Sequence, residues 1–376
     1  MKSTRQLLQC FGTVIATALF VANAMAADID YGKPGTPVKV VIGYQPYYTQ
    51  AWSGVVMRGK KFYEKYLPQG STVEFQIGLQ GAIIVNNMLA GKQHIGYMGD
   101  MPSIVSTTKA EQADVRIVGT LGLGWDQCNT FLVRNDAPQF KDAQEAIKWL
   151  NGKQVAVPKG SCTDRFAQAV FKKANVQPAQ YLNQNIEVIT SNFRAGKLDA
   201  AVIWEPTTSR LVEEGLARKV ATGASVSEND GGFLAMRYDL IKGRPDVVKA
   251  WMQAELDAQL FLADPKNASE VVKIAKDQTT GFSDKVLWKA LYGASPASVG
   301  GTTDRNILHY TITPEAQELL TRATAFLFEI KSINAPKLRP EAVMPQFADE
   351  VLKERGLKAP LGIVKAQPDS AFAMKK

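Results

Sequence analysis

The chain has 376 residues, 45% of them hydrophobic, with three cysteines and 44 Lys and Arg against 36 Asp and Glu, a formal charge of +8. That is apolar material for two cores and too little cysteine for a disulfide framework. The basic excess is spread along the chain and not gathered into the stripe that a nucleic-acid binder presents, so small anionic ligands suit it better than nucleic acid.

The first 26 residues, MKSTRQLLQCFGTVIATALFVANAMA, place Lys2 and Arg5 ahead of an apolar stretch from Phe11 to Val21 and close on Ala24-Met25-Ala26. This reads as a secretory signal peptide, cleaved after Ala26, because the apolar run is too short to span a bilayer comfortably and ends in small residues. Cys10 lies before the apolar stretch and not at a cleavage point, which argues against a lipid-anchored N-terminus. Removal takes Lys2 and Arg5 from the basic residues and nothing from the acidic ones, leaving a formal charge of +6 and a soluble, periplasmic protein. Cys128 and Cys162 remain. In an oxidising compartment they could pair, but the sequence does not place their Cα atoms within bridging distance.

From Val38 short apolar runs alternate with helical patterns. VKVVIGY, VEFQIG and HIGYMG read as strands, AIIVNNMLAG and PSIVSTTKAEQ as helices, followed by the strands RIVGTLG and FLVR. The alternation continues through the helix DAQEAIKWLNG, the strand QVAV, the helix TDRFAQAVFKKAN, the strands EVI and LDAAVIW, and the helix PTTSRLVEEG. It predicts βα units and a mainly parallel α/β architecture. After GGFLAMR the pattern turns helical, through DVVKAWMQAELDAQLFLAD, NASEVVKIAKDQ, SDKVLWKALYG and PEAQELLTRATAFLFEIKS. Two stretches, 121–135 and 228–239, set glycines beside extended apolar runs and read as crossings between lobes. They divide the mature chain into a discontinuous lobe 1, residues 27–127 and 231–376, and an inserted lobe 2, residues 128–230. A single large α/β sheet is the competing arrangement.

Ligands of such sheets bind beyond the carboxyl ends of the strands, where loops enter helices. Four of these loops carry unusual residues. GYQPYYTQAWSG interleaves Tyr44, Tyr47, Tyr48 and Trp52 with Gln45, Thr49 and Gln50, able either to wall a pocket or to pack on neighbouring helices. Gln80-Gly81 and Gly99-Asp100-Met101-Pro102 each open a helix, Asp100 as a cap or as a ligand contact. VAVPKGSCTDRF is strand, turn and helix start, where unpaired N–H groups and the helix dipole favour an anion. There Gly160 allows close approach, Ser161 and Thr163 offer hydroxyls, and Arg165 a guanidinium. Trp125, in the first crossing, joins the aromatic candidates. Ile203-Trp204-Glu205-Pro206 closes a strand; Glu205 either caps its own helix or, facing the cleft, selects a ligand that also carries an ammonium group over Trp204.

Enzyme motifs are missing. Gly122-Leu123-Gly124 lacks a third glycine, PKGSC is not a phosphate-binding loop, and His94 and His309 stand alone without metal-ligand spacing, so no metal or cofactor is expected. Cys162 at a helix start is conceivable as a nucleophile, but no histidine lies near it in sequence.

The segment IIVNNMLAGKQHIGYMGDMPSI resembles the L-x-x-G-x-x-x-x-G-x-x-G-D/S-x-P segment of periplasmic solute-binding proteins of nitrate, sulfonate and taurine importers. WLNGKQVAVPKGSCTDRFAQAVFKKANV resembles their L-x-G-K-x-V-A-V-x-K-G-S segment, and FRAGKLDAAVIWEPTTSRLVEEG their G-x-x-D-A-x-x-x-W-x-P segment. The likeness runs in order from about Val38 to Ala263. It implies a two-lobed, type II-like periplasmic-binding-protein fold, each lobe a mainly parallel sheet flanked by helices, with a ligand cleft between them. The implied ligands are Tyr44, Gln45, Trp52, Gly81, Asp100, Met101, Ser161, Cys162, Thr163, Trp204 and Glu205, with Cys162 and Glu205 departing from the commoner Ser/Thr and Asp. The implied function is capture of a small organic anion, a sulfonate such as taurine or a carboxylate, by a monomer that delivers it to the permease and ATPase subunits of an importer. An aromatic-carboxylate receptor is the second reading. An enzyme of thiamine-precursor synthesis on the same fold is a third, although its cysteine-rich motif is not found here.

Overall fold

The structure is a computed structural model that describes residues 28–373. The expected signal peptide lies outside the described residues. KVVIGY forms β1 (Lys39–Tyr44), buried on both faces after its first residue, as its apolar run requires. It pairs in parallel with β2 (Thr72–Ile77) and β3 (Ile95–Gly99). Helices α1 (Trp52–Lys60) and α2 (Gly81–Leu89) make the crossovers, and α3 (Asp100–Thr107) leads from β3 into β4 (Val115–Gly124). The aromatic loop after β1 is thus shorter than its polar composition suggests, since α1 already begins at Trp52.

After residues 125–129 the chain enters a second sheet at β5 (Thr130–Arg134). There α4 (Ala143–Trp149), β6 (Gln154–Val157), α5 (Cys162–Ala174), β7 (Gln180–Asn183), α6 (Ile186–Arg194), β8 (Ala200–Val202), α7 (Thr207–Glu213) and β9 (Ala217–Thr222) follow. EVI, expected as a strand, lies inside α6: Asn185 caps that helix by accepting from Val188 N at 2.9 Å, and its buried Ile186, Ile189, Thr190 and Phe193 recur at helical spacing. The strand of this unit is the upstream β7, at the sheet edge and with no apolar run to announce it.

β10 (Asp230–Arg237) returns the chain to the first sheet. α8 (Tyr238–Gly243), α9 (Pro245–Ala263), α10 (Ala268–Lys276), α11 (Asp284–Tyr292), β11 (Asp304–Leu308), α12 (Pro314–Glu329), α13 (Gln346–Glu354) and β12 (Gly362–Lys365) complete it. The first sheet runs β12-β11-β4-β10-β3-β1-β2 and the second β7-β6-β8-β5-β9. Neither is mainly parallel, although the sequence predicts it: four of the six neighbour pairings in the first sheet and two of the four in the second are antiparallel. β10 lies antiparallel between β3 and β4, β11 is antiparallel to β4 and β12, and β5 is antiparallel to β8 and β9. The reversal in β5 and β10 is what two direct crossings produce, because a strand that enters or re-enters a sheet without a crossover helix runs against its neighbours.

The two crossings lie side by side. Gly223 N donates to Trp125 O at 2.8 Å and to Asn129 O at 2.9 Å, and Asn129 Nδ2 reaches Glu228 O at 2.9 Å. Gly122, Gly231 and Gly232, the glycines of those two stretches, sit inside buried β4 and β10, where a Cβ at Gly231 would strike the Leu319 side chain and one at Gly122 the Asn306 side chain.

Under the first sheet, Glu255 of α9 is buried, accepting from Tyr97 OH at 2.8 Å and Gln259 Nε2 at 2.9 Å. Burial pushes its carboxyl up to about 7. A carboxyl raised on folding holds its proton longer in the folded state, so the stability it contributes is complete below its unfolded value near 4.5 and is lost as pH rises to about 7. Glu255→Gln is therefore expected to flatten the fall in unfolding free energy across that window, a difference of about 3 kcal/mol. Urea titrations of both proteins from pH 4 to 8 measure it, and parallel curves would refute it.

Candidate functional site

The turn after β6 is made by Gly160, whose φ of +75° is one that L side chains resist. Ser161 takes the N-cap position of α5, yet its hydroxyl donates to Pro158 O at 2.6 Å and shares a hydrogen bond with Thr163 Oγ1 at 2.7 Å instead of capping the helix. The N–H groups of Cys162 and Thr163 consequently have no acceptor among the described residues. Asp164 shapes the turn from below, accepting from Gly160 N at 2.9 Å and from Tyr181 OH at 2.6 Å.

Across from it, α2 of the first sheet begins at Gly81 after an extended Gln80 that provides no side-chain cap. A Cβ at Gly81 would collide with the Pro102 ring, so glycine is what fits here. Both helix starts line one cavity of about 170 Å³, with Gly81 and Ala82 on one wall and Gly160, Ser161 and Trp204 on the other. A recess of about 30 Å³ adjoins it, lined by Gln45, Tyr48, Gly81, Gly99, Ser161, Cys162 and Trp204. Gln45 is 4% exposed, and its Oε1 has no partner. A buried amide oxygen left without a partner is costly to the protein alone, so a hydrogen-bond donor entering this recess finds it ready. The positive ends of the two helices favour a small anion, toward which only the Nε2–H end of the Gln45 amide can donate, while its free Oε1 suits a hydrogen-bond donor on the same molecule.

The remaining candidates fall elsewhere. Tyr44 is buried in the core, its hydroxyl bonded by Arg58 and its ring edge-on to Phe75 at 5.4 Å. Trp52 is buried too, its Nε1 donating to Pro46 O at 2.9 Å. Met101 packs with Leu123 and Phe233, and its N–H is taken by Asp100 Oδ1 at 2.7 Å. Trp125 serves the crossing through its carbonyl and borders none of these cavities.

Asp100 of α3, beside the first sheet, and Arg165 of α5, beside the second, face each other, both buried, at 3.1 Å. Arg165 also binds Glu228 at 3.2 Å and Asn229 O at 2.7 Å, so both terminal nitrogens of its guanidinium are committed to protein partners while its buried Nε has none. Burial pushes the Asp100 carboxyl up, and Arg165 pulls it back in part. Glu205 does not face the cavity. It accepts from Ser209 N at 2.9 Å and Ser209 Oγ at 3.0 Å within α7 and pairs with Lys219 at 2.6 Å. An ammonium site at Glu205 is thereby excluded, and the carboxylate holds its own helix, the other of the two expectations.

Cys162 and Cys128 form a disulfide, with Cα atoms 6.1 Å apart. It ties the first crossing to the first residue of α5 and leaves Cys162 no thiol, either to donate or to attack. Cys162 still borders the recess.

Sequence reasoning missed a second cavity of about 270 Å³ that also borders Trp204, lined among others by Tyr47, Thr207, Arg210, Thr280 and Phe282. Thr207 and Arg210 are three apart on α7, one face of a helix opened by Trp204-Glu205-Pro206, and that spacing was the available signal. Nothing in the sequence brings Thr280 and Phe282 to this place.

Residues 33–276 match the family described as NMT1-like. The chain is 26% identical over 280 residues to the taurine-binding periplasmic protein of Escherichia coli (strain K12), covering 70% of this chain and 78% of that protein. The fold is shared with the alkanesulfonate-binding protein SsuA from Xanthomonas axonopodis pv. citri bound to MOPS, at TM-score 0.64 and 19% identity over 84% of this chain and 99% of that one. It is shared too with the desulfurization enzyme DSZB, at TM-score 0.57 and 14% identity over 84% of this chain and 99% of that one.

Proposed function

This chain belongs to the NMT1-like family, and from that premise we propose that it is the periplasmic substrate-binding component of an ATP-driven importer, capturing a small organic anion. The observation that carries the reading is the cavity where uncapped helix starts from the two sheets meet beside the unpartnered Gln45 amide. The likeness to a taurine-binding protein supports a sulfonate as the anion. The acid group lies at the Gly81 and Cys162 ends of α2 and α5 and its organic part against Trp204, between lobe 1 (27–127 and 231–376) and lobe 2 (128–230). Permease and ATPase subunits then receive it. The ligand leaves unchanged: with Cys162 in a disulfide, the nucleophile that an enzyme reading would need is not free.

The mature protein, screened by calorimetry and thermal shift against alkanesulfonates, taurine, aromatic carboxylates, nitrate and bicarbonate, is expected to select sulfonates. A ligand at 100 times its Kd adds about 2.7 kcal/mol of stability. Stabilisation by none of them, or conversion of the bound compound, overturns the reading. Gln45→Met keeps the volume and removes the amide. It should weaken the ligand by about 1–3 kcal/mol while the ligand-free protein is no less stable, because the orphaned amide stabilises only the complex. A loss of stability without a loss of affinity would make Gln45 a structural residue.

A further inference from the structure

The cavity beside α7 holds an arginine with no ion-pair partner among the described residues. Arg210 Nε is buried and unbonded, and Nη2 makes one long contact, 3.4 Å, to Thr190 Oγ1. The guanidinium is held in place by stacking 4.7 Å from the Phe282 ring, on a helix whose own carboxylate, Glu213, pairs with Lys285 and Lys289, and Glu205 just before that helix pairs with Lys219. Nearby charges do not complete it: Glu214 is paired to Arg194 at 2.7 Å, and Glu187, which also borders the cavity, is an exposed first-turn residue of α6 without an ion pair to Arg210. A half-buried, oriented guanidinium with spare N–H donors is the usual recognition group for a carboxylate or another oxyanion. Trp204 borders both this cavity and the one between the helix starts, so the two share that ring as a common wall.

We propose that Arg210 is a second anion subsite of the same cleft, and that the preferred ligand is an organic dianion with one acid group at the helix starts and the other at Arg210. This rests on the anion-binding reading of the first cavity. It names the class of ligand, a sulfonate carrying a second acid group at the far end of a short chain.

Three probes of one chain length separate the two ideas: propane-1-sulfonate, 3-sulfopropanoate and 3-aminopropane-1-sulfonate, measured by calorimetry on the mature wild-type protein and on Arg210→Gln, Arg210→Lys and Glu187→Gln. In the wild type, 3-sulfopropanoate should bind about tenfold or more tighter than propane-1-sulfonate, the worth of one charge-assisted hydrogen bond. Arg210→Gln should bring that ratio close to one, and Arg210→Lys should retain part of it. A wild-type ratio near one overturns the dianion, and a ratio that survives Arg210→Gln overturns Arg210 as the subsite of its second acid group; both leave the first cavity standing. Tightest binding of the amino compound, abolished by Glu187→Gln, overturns it as well, since the far group would then be a cation. Binding of none of the three defeats the proposed sulfonate site itself.

Discussion

Arg165→Ala is expected to lower the free energy of unfolding by about 3–5 kcal/mol, the range for removing one partner of a buried ion pair. The pair it breaks is enclosed: Asp100 is shielded from solvent in α3 and Arg165 nearly so in α5. The loss should have a pH signature. Burial already raises the Asp100 carboxyl, and without Arg165 it rises further, so the variant's deficit shrinks in acid, where the carboxyl takes up a proton, and grows as pH rises. Urea denaturation at several pH values without ligand measures both effects. The sequence suggested that Arg165 grips the ligand. If that were its role, the substitution would weaken binding and leave the ligand-free protein about as stable as before.

The second large effect concerns the disulfide. Replacing Cys128 and Cys162 together by alanine should cost about 3–4 kcal/mol by the chain-entropy relation for a closed loop of the 34-residue separation seen here. Reduction of the wild type should cost a similar amount, and the reduced double variant should show no further change with reductant. An unaltered unfolding midpoint under reducing conditions would mean that the unfolded chain gains nothing from losing the constraint. Because the bond fixes the start of α5, ligand affinity should fall in the same variant. Gln45→Met, by contrast, is expected to lower affinity alone, so the two substitutions distinguish placement of the site from its chemistry.

Much of this architecture was readable in the chain because its signals were local. β1, β3, α2, α5 and the long helices after β10 announce themselves by apolar period, and the two sheets follow from strands alternating with helices. The failures were of a different kind. β7 is an edge strand with polar residues, and β11 and β12 pair only with partners far away in sequence, so no short window contains their reason to exist. At the site, the strand–turn–helix around Gly160 was legible as backbone chemistry. What the side chains do there was not. Tyr44 and Trp52 point into the core because Phe75 and Pro46 wait for them, and Arg165 is consumed by Asp100 and Glu228. Composition offered these residues as ligands, and only tertiary packing could assign them.

The position of β10 between β3 and β4 also sets the order in which the molecule can assemble. A chain emerging from its N-terminus has β1 to β4 available early, but the place between β3 and β4 stays empty until residues 230–237 have arrived. The inserted sheet has all five of its strands by Thr222 and can close first. During that interval the earlier strands hold unpaired edges and buried-type side chains in the open, which is the state most prone to wrong partners. The sheet synthesised second is thus the one able to finish first, and the sheet begun first is completed by sequence from the far end of the chain.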